Sequence, residues 1–392
     1  NWFSNFFEQK DTKYTNGGGN GAAMRIQPHV WASPNISDPL SYLPDVIRNA
    51  VCTHGHPRGI LGAVFHALCF AHSYEHYEAP GPDVWMRSAD YFSMIPNIIK
   101  NDTDLSTFWM STWENKTDKS IAKAFEEVKW ECTKDIEIIN KLKLEPDAAS
   151  YRILVESVDA LSQSSRGSGI KTALIASALS WLFKARSPND ALTTAANLLS
   201  SDTDTIATMT GAIIGCVADT PPEGTILDSE YVVKEASRLF NISQGMHEQS
   251  FGYPDIQDWK PPKNQLEGVG KIDSRIALAG IGFGEQISQE HIGQPKDSFA
   301  WQWIKLDFGQ TILAKRRRNI PKLPKSNCPV NAIPSPKEKT QHYHQPDTTS
   351  KGSLDMFSST DRGDNEPQRD RARQPDINEL TREAIASSFD PR

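Results

Sequence analysis

From Ala173 to Phe183 the chain reads Ala-Leu-Ile-Ala-Ser-Ala-Leu-Ser-Trp-Leu-Phe, with no charged residue and no polar face at helical spacing. A helix that is apolar all round must be enclosed by other helices or by lipid. Lipid is excluded by length, because a spanning helix needs about 20 apolar residues and no such run occurs. The segment Gly169–Phe183 is therefore expected at the centre of a helical bundle.

The rest of the chain supplies the enclosing helices. From Asp38 to about Phe240 apolar residues recur at helical spacing. Pro57 suits a first turn and is followed by Ile60, Leu61, Val64, Phe65, Leu68, Cys69 and Ala71. Between Lys119 and Leu142, Lys123, Glu126, Glu127 and Lys129 mark a charged face, and Ile121, Phe125, Val128, Cys132, Ile136 and Ile139 an apolar one. Asp147–Leu161 repeats the pattern. Ser187-Pro188 is a cap followed by proline at the first helical position, and one more helix is expected over Ser229–Phe240.

The period changes after residue 262. Ile276–Phe283 and Glu285–His291 are short and interrupted by glycine, and Ala300–Phe308 alternates as a half-buried strand does. Thr311–Ala314 continues the sheet after a turn at Gly309. Trp301 and Trp303 are assigned to core packing against the helices, and Lys315-Arg316-Arg317-Arg318 to a solvated strand end. Beyond Asn319 large apolar residues become scarce, so residues 325–392 are expected to be disordered, with a transient helix over 377–388. The expected divisions are 1–262, 263–320 and 321–392. A hydrophobic content of 38% fits a normal core diluted by such a tail.

A net charge of -7 argues against a nucleic-acid partner held by phosphate contacts. Cys52, Cys69, Cys132, Cys216 and Cys328 form an odd set without a Cys-x-x-Cys pair, which fits reduced thiols rather than a disulfide framework. Residue 1 is Asn and no charged-then-apolar leader follows it. The expectation is a piece of a longer reading frame, in the cytoplasm, with no membrane association. The Asn-x-Ser/Thr triplets at Asn35, Asn101, Asn115 and Asn241 are assigned to chance.

Three segments can carry chemistry. In Ser201-Asp202-Thr203-Asp204-Thr205, carboxylates and hydroxyls crowd the start of a helix, a set of hard oxygen donors suited to Mg²⁺, Mn²⁺ or Ca²⁺. Alone, the motif is equally a capped helix start with an acidic first turn. Ala207, Gly211, Ala212 and Gly215 place small residues on one helix and are expected to admit a close neighbour, burying the acidic end. Gly17-Gly18-Gly19-Asn20-Gly21 permits bare backbone to approach a phosphate or ribose, or is simply a linker. Cys52-Thr53-His54-Gly55-His56-Pro57 precedes a long helix and can present an imidazole to an anion. Zinc is not expected there, and His66, His72 and His76 are assigned to helix faces.

Taken in order, Gly19-Asn20-Gly21-Ala22-Ala23-Met24-Arg25, Thr53-His54 and Asp202-Thr203-Asp204-Thr205 resemble the ADP-ribosylglycohydrolase family, which includes the dinitrogenase-reductase-activating glycohydrolases. The likeness covers residues 15–220. It implies a mainly α fold, an orthogonal all-α domain of that type, here followed by the small β module and the tail. It implies a hydrolase cutting the glycosidic bond between ADP-ribose and a modified protein or an ADP-ribose-containing small molecule, with two Mg²⁺ ions, or Mn²⁺, as cofactors. By position in the motifs, Asp202, Asp204 and Thr205 match metal ligands and the two aspartates the catalytic groups. Gly19, Asn20 and Gly21 match the loop along ADP-ribose, and His54 a residue lining its pocket. A metal pair about 3.5–4 Å apart can hold ribose hydroxyls and orient water.

The family's remaining metal ligands, a Thr-Asp-Asp cluster and a glutamate upstream of the glycine loop, have no match in residues 1–16. Half of the metal site is therefore expected to be missing and the fragment to be inactive. The alternatives are a non-catalytic ADP-ribose-binding protein and a structural protein on the same scaffold.

Overall fold

The computed structural model describes residues 13–220, 225–249, 251–255, 257–288 and 298–330, and every structural statement concerns these. The chain divides into two units, Asn1–Val330 and Asn331–Arg392, of which the second lies outside the described residues, as does the helix expected over 377–388. Helices and sheet share the first unit.

Its helices are α1 (Gln27–Trp31), α2 (Leu43–Val51), α3 (Pro57–His76), α4 (Pro82–Asp90), α5 (Ile95–Asn101), α6 (Ser111–Thr117), α7 (Ile121–Asn140), α8 (Ala148–Ser157), α9 (Gly169–Leu182), α10 (Pro188–Asn197), α11 (Thr203–Gly215) and α12 (Ser229–Ser243). The fold is mainly α, with a small antiparallel sheet following the helices. The region before Asp38 also holds α1 and a 3-10 turn at Ala23–Arg25. The cap expected at Ser187 forms, and two further helices are capped by side chains. Ser120 accepts from Lys123 N, Asp147 from Ser150 N, and Ser187 from Asn189 N with Pro188 behind it. No described helix is long and apolar enough to cross a membrane.

The central position of α9 holds. Every residue from Gly169 to Ser180 is buried, and the helix packs on α3 and α11. Polar residues buried on it need partners. Lys171 Nζ donates to Asp135 Oδ2 at 2.6 Å and to Val158 O at 2.9 Å, and Glu131 of the same helix α7 binds Arg58 at 2.8 Å. Burial raises the Asp135 carboxyl pKa, against the pull of Lys171. The fully buried His66 is not a surface decoration either. Its Nε2 meets the Gln27 side-chain amide at 3.0 Å, and burial pushes its pKa down to about 3.

The small-residue seam lies elsewhere than expected. Nothing stands within 4 Å of a Cβ built on Gly215, and on Gly211 the nearest atom is the Leu192 Cδ2 at 3.4 Å. Contact of backbone with backbone occurs instead where α3 meets the start of α9. A Cβ on Gly62 would stand 2.3 Å from the Gly169 carbonyl carbon, and one on Gly169 would stand 2.6 Å from Arg58 O and 2.9 Å from Gly19 O. At such separations neither helix could keep its place with a larger residue.

Strands β1 (Val269–Ile272), β2 (Arg275–Leu278), β3 (Gly282–Gln286), β4 (Phe299–Leu306) and β5 (Thr311–Arg317) form an antiparallel meander in sequence order. Gly309, at φ +109°, turns β4 into β5, which pair from Phe299↔Arg317 to Lys305↔Thr311. The strand expected at 300–308 forms, but its buried face is Ala300, Gln302, Ile304 and Leu306. Trp301 and Trp303 take the half-buried side and belong to neither core cluster, which corrects their assignment to core packing against helices. Arg316 likewise turns inward, its Nε donating to Gln302 Oε1 at 2.7 Å, so the basic run is not wholly a solvated strand end. A buried amide opposite a buried guanidinium satisfies both. Order also continues past the limit expected at residue 320. Leu323 packs against Gly270, and Asn327 is buried and donates to Lys260 O. These contacts occupy residues that composition assigned to the tail.

Gly62→Ala is expected to cost about 1–3 kcal/mol by overpacking, whereas Gly215→Ala should stay within about 0.5 kcal/mol of the parent or exceed it. Chemical denaturation of the pair measures this, and equal losses would show that the α3–α9 contact is not tight.

Candidate functional site

The start of α9, the start of α3 and the start of α11 converge on the glycine-rich segment. Gly19 forms an isolated antiparallel bridge with Ser168, and Gly169 N donates to Gly18 O at 2.9 Å. The segment then passes into the Ala23–Arg25 turn, which packs on both α3 and α11. Residues 18 to 25 are thus clamped between three helix ends and are no free linker.

The acidic motif comes to the same place. Asp202 occupies the cap position of α11, yet its side chain makes no capping bond. Its Oδ2 instead accepts from Asn20 Nδ2 at 2.8 Å, joining residues 182 positions apart. A motif serving only to start a helix would have used that carboxylate on its own first turn. The turn before α9 is shaped around the same oxygen. Gly167 has φ +75°, and a Cβ there would stand 3.1 Å from Asp202 Oδ2. Arg166 Nη2 donates to Ser201 O at 3.2 Å, tying that turn to the residue preceding Asp202.

Asp204, one residue into the helix from Thr203, is exposed, so the expected burial of the acidic end does not occur. Hydrogen bonding with Asp202, reinforced by the backbone N–H of Thr205, holds the Asp204 carboxyl below its ordinary pKa. Thr205 is buried, with Oγ1 3.7 Å from Met24 Sδ. Asp202, Asp204 and Thr205 therefore form a contiguous oxygen face beside Asn20. The described residues contain no group of three or more His, Cys, Asp or Glu placed to hold a metal, so any ion here would need donors besides these side chains.

His54 closes the other side of the glycine segment. Its Nε2 lies 3.5 Å from the position a Cβ would take on Gly21 and 3.8 Å from that on Gly19. His56, by contrast, is spent on structure: its Nδ1 accepts from Arg58 N and caps α3. The loop carrying His54 is braced from behind. Tyr14 O accepts from both Gly17 N and Gly55 N, Tyr14 OH donates to Val51 O at 2.5 Å and accepts from Trp109 Nε1, and Trp113 Nε1 donates to Gly55 O at 2.5 Å. Burial raises the Tyr14 hydroxyl pKa, so it remains a neutral donor. Trp109 ends in a π-helical segment, Leu105–Met110, that runs into α6.

Sequence reasoning brought Gly19, Asn20, Gly21, His54, Asp202, Asp204 and Thr205 forward, and the structure gathers them around the Gly19–Gly21 segment. It assigned no role to Arg25 or Thr53, though both stand in the motifs, and did not single out Tyr14, Trp109, Trp113 and the Arg166-Gly167-Ser168-Gly169 turn. The tryptophan pair at i, i+4 and the Gly-Ser-Gly run were the available signals. A separate cavity of about 290 Å³, lined by Trp85, Leu154, Trp181 and Lys184 among others, includes none of the cleft residues.

Asp202→Ala should move the Asp204 titration up toward the ordinary carboxylate range, because the first cause of its depression is removed. Carboxyl carbon NMR over an acid titration measures this; an unmoved Asp204 would show that the two side chains do not interact. The family described as ADP-ribosylglycohydrolase matches residues 3–220, a span that includes every residue of this cleft, and no curated protein matches the sequence.

Proposed function

Since the chain belongs to the ADP-ribosylglycohydrolase family, we propose that it hydrolyses the glycosidic bond joining ADP-ribose to a protein side chain or to a small-molecule acceptor. The observation carrying this reading is the Asn20–Asp202 bond, which sets a bare-backbone cradle against an oxygen-rich helix start. The cradle suits a sugar diphosphate, whose phosphates and hydroxyls need close backbone approach. The carboxylates suit the other end, where a ribosyl cation-like transition state puts positive charge on the anomeric carbon.

Asp202, Asp204 and Thr205 would hold the divalent ion, Mg²⁺ or Mn²⁺. The donor chemistry fits: the Asp202 carboxylate is not spent on capping its helix, Asp204 is exposed, and with the Thr205 hydroxyl they make a set of hard oxygen ligands. Such an ion, when bound, supplies positive charge that fixes ribose hydroxyls and eases ionisation of water. The protein's own part is positional. Asn20 fixes the Asp202 rotamer, the Arg166–Ser201 bond fixes the backbone before it, and Asp204 stands exposed beside them. Three side chains would leave the remaining positions of such an ion to water and ligand oxygens, as is usual for Mg²⁺. A cytoplasmic location is part of the reading, consistent with five unpaired cysteines.

In a test with an ADP-ribosylated protein and Mg²⁺, chromatography should detect free ADP-ribose, and EDTA should abolish its release. Release undiminished by chelation would exclude the metal; ADP-ribose binding without release would favour a non-catalytic binder. Asp204→Ala should reduce turnover by at least about a hundredfold, on the scale of losing an electrostatic transition-state group, with the melting temperature unchanged. Retained turnover would return the motif to a helix start.

A further inference from the structure

Two bonds meet on the Thr53 hydroxyl. Its Oγ1 accepts from Arg25 Nη2 at 2.6 Å and lies 2.7 Å from His54 Nδ1. A guanidinium only donates, so the Arg25 bond occupies one of the two lone pairs of Oγ1. The second contact can then run either way. With the proton on Nδ1, Oγ1 would accept from a cation and from an N–H together, and its own proton would have only solvent to turn to. With Oγ1–H directed at Nδ1, each donor has an acceptor, and the Arg25 bond polarises the hydroxyl into a better donor.

Arg25 is held firmly enough to set this direction. Its Nη1 donates to Gly21 O at 2.9 Å, its Nε to Asn49 Oδ1 at 2.8 Å, and its Nη2 also to Asn49 O at 3.0 Å. The guanidinium thus fixes the glycine turn and the Thr53 hydroxyl at once. Burial first, and the Arg25 charge second, hold His54 below its ordinary pKa, so the ring is neutral. A neutral ring that accepts at Nδ1 carries its proton at Nε2. That nitrogen lies on the ring edge turned toward Gly19 and Gly21, and it makes no hydrogen bond within the described residues.

We propose that Arg25 and Thr53 are positioning residues that lock His54 as the Nε2–H tautomer, making it a hydrogen-bond donor to an oxygen of an anionic sugar diphosphate lying along Gly19–Gly21. The acceptor's identity rests on the ADP-ribose reading; the tautomer does not. It follows that His54 takes no proton during turnover. Its role is to bind, and proton removal from water falls to the carboxylate side of the cleft.

Long-range proton–nitrogen correlation on protein with ¹⁵N-labelled histidine reads the tautomer directly, with His54→Gln identifying the signal. The parent should show the Nε2–H pattern, Thr53→Ser should keep it, and Thr53→Val should give mixed or Nδ1–H signals. An Nδ1–H pattern in the parent, or an unchanged pattern in Thr53→Val, overturns the proposal. Calorimetry with ADP-ribose is the second arm: Thr53→Val should bind about tenfold more weakly, in line with one hydrogen bond to a charged group, and Thr53→Ser should recover the affinity. Equal affinity of the parent and Thr53→Val overturns the donor role. If no variant binds ADP-ribose while the nitrogen spectra come out as expected, the lock stands and the ligand reading fails.

Discussion

Three backbones touch where Gly62 of α3, Gly169 of α9 and the Gly18–Gly19 segment come together, and the cleft depends on that contact. Ordinary helix pairs keep axes about 8–10 Å apart because side chains lie between them. Here side chains are absent at the crossing, so α9 starts directly behind the glycine segment and pairs with it through Gly169 N–Gly18 O. The same crossing sets the turn ending at Ser168 against the start of α11. A single steric condition thereby places the Gly19–Gly21 segment and an acidic helix start within one hydrogen bond of each other.

Polar groups then hold what the glycines permit. Lys171, two residues into α9, is anchored to Asp135 on α7, and Arg58 on α3 reaches Glu131 on the same helix. These charges are costly to bury but pair within one network, so removing any single partner would strand another. On the opposite side, Tyr14, Trp109 and Trp113 brace the loop that carries His54. The cleft is thus rigid at its back and open at Asp204.

Much of this was legible in the sequence because it rests on local rules. The apolar run 173–183 had to be central, Ser187-Pro188 had to start a helix, and the glycine and Asp-x-Asp-Thr motifs stood out by composition. What was not legible depends on which face meets which neighbour. Ala207, Gly211 and Gly215 look like a packing seam, yet α10 approaches α11 without needing them, while Gly62 and Gly169, unremarked in sequence, are indispensable. Alternation located β4 but not its phase: Gln302 is buried because Arg316 comes inward to meet it, and no periodicity reveals a polar pair across two strands. The six residues 325–330 read as tail by composition, yet Asn327 is buried. The residues of the Asn20–Asp202 and Arg25–Thr53 bonds stand in motifs visible in the sequence, but no local rule pairs them, since each bond joins distant positions.

The sheet is tethered in a way that bears on how this molecule could vary. Helix α12 buries no residue of its own, touches α1, and holds β5 through Asp228, whose carboxylate accepts from Thr311 N and Thr311 Oγ1, with Tyr231 against Phe308. So slender a strut transmits little strain. Insertions or substitutions in the meander can accumulate without reaching the glycine crossing, leaving the sheet free to diversify while the cleft is held constant.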